Sequence, residues 1–259
     1  DTGDKVTITG ENFGTDPSDI SVSFNGTPAE FELVDESTIV ATTPADYQTG
    51  SVTVTIHGYT MTGGAMFNPN SKGDVTVLYL QNYKQPFAKA NDESWKNGEW
   101  WTPAVWNQNA ASFNAKGNTT VSGMQYKSEE GLTLAFQNGW DKEAYTDGKM
   151  WQVATLRPGR YRLEVTYAYT LVVTDAGNFI SVLIAKGDSE SDIPNVSDLE
   201  QLNGVYVAYD KMGTANDSGT LVTPSFEVTE TTDVVIGFLT SLAKGNSYFK
   251  VTELKLILE

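Results

Sequence analysis

Four tryptophans, Trp95, Trp100, Trp101 and Trp106, fall within twelve residues, with Asn, Gly, Glu and Pro between them. An indole face is a flat apolar platform with a negative quadrupole. The C–H-rich face of a pyranose is a natural partner for it. Asn, Gln, Asp and Glu beside the platform can hydrogen-bond sugar hydroxyls. Trp100 and Trp101 are adjacent, and neighbours on a strand point to opposite faces, so only one of them enters a given core. Trp106, in Thr102-Pro-Ala-Val-Trp-Asn107, reads as a buried anchor. A second loop, Gln137-Asn-Gly-Trp-Asp-Lys-Glu-Ala-Tyr-Thr-Asp147, carries Trp140 and Tyr145 with Asn138 and Asp141, and is the candidate for the other wall of a sugar site. The candidate ligand-binding residues are therefore Trp95, Trp100, Trp101, Asn138, Trp140, Asp141 and Tyr145. The competing reading makes the same aromatics core residues or loop pins.

Other chemistry is thin. The chain has 259 residues, no Cys and one His, His57, so thiolate sites, disulfides, Cys nucleophiles and His-rich zinc sites are excluded. His57 falls on the outward phase of its strand pattern. Carboxylates abound, but no pair stands out. Glycosidases need two carboxyl groups about 5–5.5 Å or about 6.5–9.5 Å apart, and sequence spacing does not supply that distance. Glu129-Glu130 reads as a solvated charge run. The expectation is a protein that is not an enzyme, with no catalytic residues. The net charge of −16 repels nucleic acid and anionic lipid. No apolar run approaches the length of a transmembrane helix.

The elements that must hold these residues are strands. Residues 1–70 contain ten acids and one base, Lys5, a charge of −9, and no Trp. The stretch Asn68-Pro-Asn-Ser-Lys-Gly-Asp74 reads as a linker between two domains, 1–69 and 74–259. In the first, Val6, Ile8, Val22, Phe24, Ile39, Val52, Val54 and Ile56 recur with period two, and Asn25-Gly26 is a hairpin turn signal. This predicts a small all-β sandwich. In the second, strands are expected at 75–80, 132–136, 161–169, 179–185, 205–209, 225–228, 234–238 and 249–258, and eight strands suit a jelly-roll sandwich. One short helix is expected at Asp198–Leu202, with Ser197 as N-cap and Glu200 closing a capping box. Long loops are expected at 84–120, 137–150, 186–204 and 210–222.

Two resemblances add to this reading. Gly3-Asp-Lys-Val-Thr-Ile-Thr-Gly-Glu-Asn-Phe-Gly14 resembles the G-x-x-V-x-I-x-G-x-x-F-G opening of IPT/TIG immunoglobulin-like domains. Ile20–Asn25, Ser37-Thr-Ile-Val-Ala-Thr-Thr-Pro44 and Gly50-Ser-Val-Thr-Val-Thr-Ile56 resemble later segments of that family. The family's first strand has no counterpart, which implies that the chain was cut from a longer precursor. Asp147-Gly-Lys-Met-Trp-Gln-Val-Ala-Thr-Leu-Arg-Pro-Gly-Arg-Tyr-Arg-Leu163 and Phe226-Glu-Val-Thr-Glu-Thr-Thr-Asp-Val-Val-Ile-Gly-Phe238 resemble galactose-binding-like jelly rolls of Bacteroidetes surface glycan-binding proteins.

The expected fold class is thus all-β, an immunoglobulin-like (IPT/TIG) sandwich followed by a galactose-binding-like jelly-roll sandwich. Related jelly rolls often hold a structural Ca²⁺. Phe249-Lys-Val-Thr-Glu-Leu-Lys-Leu256 puts Thr252 where the resemblance implies an Asp, with Glu253 beside it, so no metal ligands are assigned. No cofactor is expected beyond an allowance for that calcium. The resemblance implies a non-catalytic, monomeric carbohydrate-binding protein whose partner is a polysaccharide or oligosaccharide. It implies a cell-surface, outer-membrane lipoprotein of polysaccharide utilisation, attached to membrane only through a lipid anchor absent from this chain. Two alternatives stay open: a structural or adhesion protein with no sugar site, and a glycoside hydrolase or its accessory domain.

Overall fold

The computed structural model describes residues 2–45, 47–68, 72–95, 98–113, 122–138, 144–172, 177–213, 217–243 and 247–259. The chain divides into two compact units, Asp1–Leu78 with Leu258, and Tyr79–Ile257 with Glu259.

The first unit contains β1 (Lys5–Thr9), β2 (Ile20–Phe24), β3 (Thr27–Ala29), β4 (Phe31–Asp35), β5 (Thr38–Thr42), β6 (Gly50–Ile56) and β7 (Tyr59–Met66). They form two antiparallel sheets, β1-β5-β4 and β3-β2-β6-β7. The period-two pattern is the cause. Val22 pairs with Val54 and Phe24 with Val52, and all four point into a core shared with Phe13, Ile39 and Tyr47. Each such side chain contributes about 1.5–3 kcal/mol on burial. Asn25 (φ 45°) and Gly26 (φ 84°) form the tight turn from β2 to β3, and Asn25 Nδ2 donates to the Thr49 carbonyl at 3.0 Å. This is an immunoglobulin-like sandwich. His57 lies just past β6 in a turn (φ 49°), not on the strand, with Nδ1 3.5 Å from Asp19 Oδ2. β7 was not expected, and six of its eight residues are exposed, so it carries little apolar pattern.

After β8 (Gly73–Asp74), the strand expected at 75–80 is instead a helical turn, α1 (Thr76–Tyr79). Asp74 Oδ1 accepts from the Thr76 amide at 3.0 Å and the Thr76 hydroxyl at 2.6 Å. That local side-chain turn overrides the β-propensity of Val75-Thr-Val77.

The second unit is a jelly-roll sandwich of β9 (Trp100–Trp101), β10 (Asn107–Gln108), β11 (Ser122–Lys127), β12 (Gly131–Asn138), β13 (Tyr145–Leu156), β14 (Gly159–Tyr167), β15 (Phe179–Lys186), β16 (Val207–Lys211), β17 (Gly219–Val222), β18 (Phe226–Val228), β19 (Thr232–Leu242) and β20 (Ser247–Leu258). The smaller sheet runs β10-β13-β19-β15-β16. The larger follows β17-β14-β20-β12-β11-β9, with β18 also on β14. Phe136 and Phe249 from the larger sheet meet Phe238 from the smaller, with Phe136–Phe238 centroids 5.0 Å apart. Trp106 joins this core, stacking 5.7 Å from Phe238 and donating Nε1–H to the Asn82 carbonyl at 3.0 Å. Trp151 packs on the other face of the smaller sheet with Leu183, Ile193, Leu199 and Val235. At Gly237 a Cβ would lie 2.1 Å from the Met150 carbonyl oxygen, so only Gly lets β13 and β19 approach this closely.

The expected helix is α2 (Leu199–Leu202), but its N-cap is Asp198, and no side chain caps it. Ser197 instead donates to Asp198 Oδ1 at 3.1 Å. A capping box does form earlier, between Ser189 and Asp192. The expected loop at 137–150 is shorter, because β13 begins at Tyr145.

Candidate functional site

The middle of the larger sheet alternates between two faces. Met124, Leu134, Phe136, Phe249 and Val251 point into the sandwich and are fully buried. Gln125, Thr133, Ala135, Gln137, Tyr248 and Lys250 occupy the opposite phase, the sheet's outer face. Register brings them together: Trp100 pairs with Gln125, Gln125 with Thr133, Ala135 with Lys250, and Gln137 with Tyr248. A cleft of about 310 Å³ opens over this face, lined by Glu99, Trp100, Gln125, Lys127, Glu130, Gln137, Tyr248 and Lys250.

The cleft has matched charges. Lys127 Nζ donates to Glu99 Oε2 at 2.8 Å, and Lys250 Nζ pairs with Glu130 Oε2. Lys250 is only 4% exposed, and its ammonium also lies 5.3 Å from the Tyr248 ring centroid. Removing one partner of so buried a pair is costly, which holds Glu130 and Lys250 together. Gln125 is equally buried, yet its Oε1 has no hydrogen-bond partner among the described residues, and neither has Thr133 Oγ1. At one end Trp95 leans on Trp100 (centroids 5.6 Å, planes at 38°) and meets the half-exposed Phe113 edge-on. Gly123 makes room for it, since a Cβ there would lie 3.3 Å from the Trp95 ring.

The sequence-derived candidates separate by face. Trp100 is in the cleft floor, 2% exposed, and Trp95 is half-buried beside it. Trp101 points the other way, opposite Met124, with the Lys89 ammonium 4.0 Å over its ring. Asn138 shares the inward phase of Phe136 and donates Nδ2–H to the Leu242 carbonyl at 3.2 Å. Tyr145 is buried with its hydroxyl 3.0 Å from Thr240 Oγ1, and desolvation pushes its pKa far up. Trp101, Asn138 and Tyr145 thus pack or pin the sandwich and present no side chain to the cleft. Trp140 and Asp141 lie outside the described residues. Gln125, Gln137, Tyr248 and the two Lys–Glu pairs were missed. Their signal is the outward phase of Thr133-Leu-Ala-Phe-Gln137 and Tyr248-Phe-Lys250, which runs one residue past the expected strand ends at Phe136 and Phe249.

A second hollow of about 470 Å³ lies against Lys149, Asp192, Asn195, Asp198 and Tyr206. Lys149 is buried and donates to the Ile193 carbonyl at 2.6 Å, and desolvation lowers its pKa. In the first unit an apolar groove of about 470 Å³ lies along β1 and β7. Among the described residues, no three Asp, Glu or His side chains cluster so as to hold a metal ion, and no helix is long and apolar enough to cross a membrane.

The profile of a family described as a domain of unknown function, DUF5013, matches residues 81–237, and that of the IPT/TIG domain matches residues 1–71. No curated protein matches the chain. Among solved structures, TmCBM61 in complex with β-1,4-galactotriose is 12% identical over 70% of this chain and 100% of its own, with a TM-score of 0.40. A candidate glycoside hydrolase from Bacteroides thetaiotaomicron is 12% identical over 89% of this chain and 83% of its own, with a TM-score of 0.41. The K3 adhesin domain of Lys-gingipain from Porphyromonas gingivalis is 10% identical over 69% of this chain and 97% of its own, with a TM-score of 0.36. Likenesses this distant leave the function to be read from the chain's own surface.

Proposed function

The chain belongs to the DUF5013 family, and we propose that it is a non-catalytic carbohydrate-binding protein that holds glycan in the cleft on the outer face of its larger sheet. The observation that carries this reading is the composition of the cleft. Tyr248 offers an aromatic face, Gln125 an unpartnered buried acceptor, and Gln137 an amide, all on one rigid sheet. Aromatic rings beside a few fixed polar groups suit the alternating apolar faces and hydroxyls of a sugar. Both carboxylates among the described residues of the cleft are engaged by lysines, which suits binding rather than general acid–base work.

At about 310 Å³ the cleft is near the small end of ligand sites, so single-site affinity is weak and partner modules add avidity. In this proposal the N-terminal unit is a spacer, the protein is a monomer, and it acts at a cell surface. The test is affinity electrophoresis of the intact chain and a Tyr248→Ala variant through gels holding dissolved polysaccharides. Retardation of the intact chain, lost in a folded variant, supports the reading. A chain that no polysaccharide retards is instead a structural or adhesion protein, a reading favoured by the burial of Trp100, Trp101, Trp106 and Trp151.

A further inference from the structure

Resting on the carbohydrate-binding reading, we infer that the cleft selects neutral, hydroxyl-rich glycan chains over uronate- or sulfate-bearing ones through its paired charges, with Gln125 as an acceptor for a sugar hydroxyl. Both ammonium groups among the described lining residues already hold a carboxylate, Lys127 with Glu99 and Lys250 with Glu130. Lys250 is more than nine-tenths buried, so it cannot turn to an anion without stranding Glu130. Among the described residues of the lining, an anionic ligand would therefore meet two carboxylates and no unpaired ammonium, on a chain of net charge −16.

Gln125 contributes separately, by asking for a hydroxyl donor. Its Oε1 is buried in the cleft floor with no partner among the described residues, and the Oγ1 of Thr133 directly across the strand pair is unpartnered too. An orphan acceptor is satisfied only by a donor. A sugar hydroxyl is such a donor. The lining runs from Trp100 on β9 across β11 and β12 to Tyr248 on β20. Three strand spacings span about 14 Å, longer than one sugar ring, so the ligand is a stretch of chain lying across the strands.

The experiment uses the intact chain in affinity electrophoresis against neutral polysaccharides and against uronate-rich and sulfated ones at one ionic strength. The expected result is retardation by at least one neutral polymer, with every anionic polymer at least tenfold weaker. Equal or tighter binding of an anionic polymer overturns the inference and leaves the carbohydrate-binding reading standing. Binding to none defeats that reading and the inference with it. Gln125→Leu removes the orphan acceptor. It should bind at least tenfold more weakly while melting at the same or a higher temperature. Unchanged binding by a folded Gln125→Leu variant overturns the role of Gln125. Glu99→Gln frees the Lys127 ammonium on the exposed rim, where little stability is at stake. Uronate-rich polymer should then bind severalfold tighter than it binds the parent, and unaltered discrimination counts against the charge argument.

Discussion

Gln125 and Thr133 lie directly opposite each other on β11 and β12, and the Oε1 of one and the Oγ1 of the other are both buried without a hydrogen-bond partner among the described residues. Buried polar atoms in folded proteins are nearly always paired. Two buried orphans side by side, Gln125 in the cleft lining and Thr133 beneath it, mark a place where the fold gives up stability. Thr133→Val removes one orphan in nearly the same shape on a strand that favours β-branched residues. It should stabilise the protein by about 1 kcal/mol, read as a higher urea midpoint with an unchanged slope.

Lys149 gives a second prediction, for alkaline pH. Its ammonium is buried against the carbonyls of Ile193 and Glu190, and desolvation holds its pKa below the ordinary 10.5. Between the lowered folded value and 10.5 the unfolded chain binds the extra proton, so stability rises with pH through that window. Lys149→Met should lose this component. Urea titrations across the alkaline range should show the wild type gaining on the variant as pH increases, and a gap that widens the other way contradicts the assignment.

The loop below that lysine depends on Asp192. Its Oδ2 accepts from the amides of Asp188 (3.1 Å) and Ser189 (3.0 Å) and the Ser189 hydroxyl (2.6 Å), while Oδ1 accepts from the Tyr206 hydroxyl (3.1 Å). The Ser189 side-chain hydrogen bond leads in holding its pKa below the ordinary range, while desolvation, then the hydrogen bond to Asp192, raises that of Tyr206 to about 12. Asp192→Ala should cost about 2 kcal/mol at neutral pH. Because the folded pKa is depressed, Asp192 stabilises above the ordinary Asp value and that contribution is lost as pH falls through the folded one. The variant should therefore converge on the wild type in acid.

Gly237→Ala tests the contact of the two longest strands of the smaller sheet. The new Cβ would sit 2.1 Å from the Met150 carbonyl oxygen and 2.7 Å from Trp151 Cα, both backbone atoms that cannot swing aside. The expected loss is about 3 kcal/mol or more. At Gly64, where nothing lies within 4 Å of the added carbon, alanine should change stability by less than about 0.5 kcal/mol. Equal urea midpoints for the two variants would contradict the packing.

Much of the fold was legible because its signals are local. Val22, Phe24, Val52 and Val54 alternate, and Asn25-Gly26 announces its own turn. Arg157-Pro158, with Gly159 opening β14, separates β13 from β14 in the same way. Val75–Leu80 misled because a single Asp74 carboxylate outweighed the propensity of several residues. The two-residue strands β9 and β10 are too short to show a period. The adjacency of Trp100 and Trp101 correctly implied opposite faces, and the structure shows which is which. The cleft itself was out of reach, since Trp100, Gln125, Gln137 and Tyr248 become neighbours only through a strand order that periodicity does not encode.

Backbone amide chemical shifts recorded while a retained neutral oligosaccharide is titrated into the intact protein test the central claim most directly. The cleft account predicts saturable shifts at Gln125, Gln137, Tyr248 and Lys250, with the amides of β1–β7 unmoved. Shifts confined to residues away from this face, or none at saturating sugar, would contradict it.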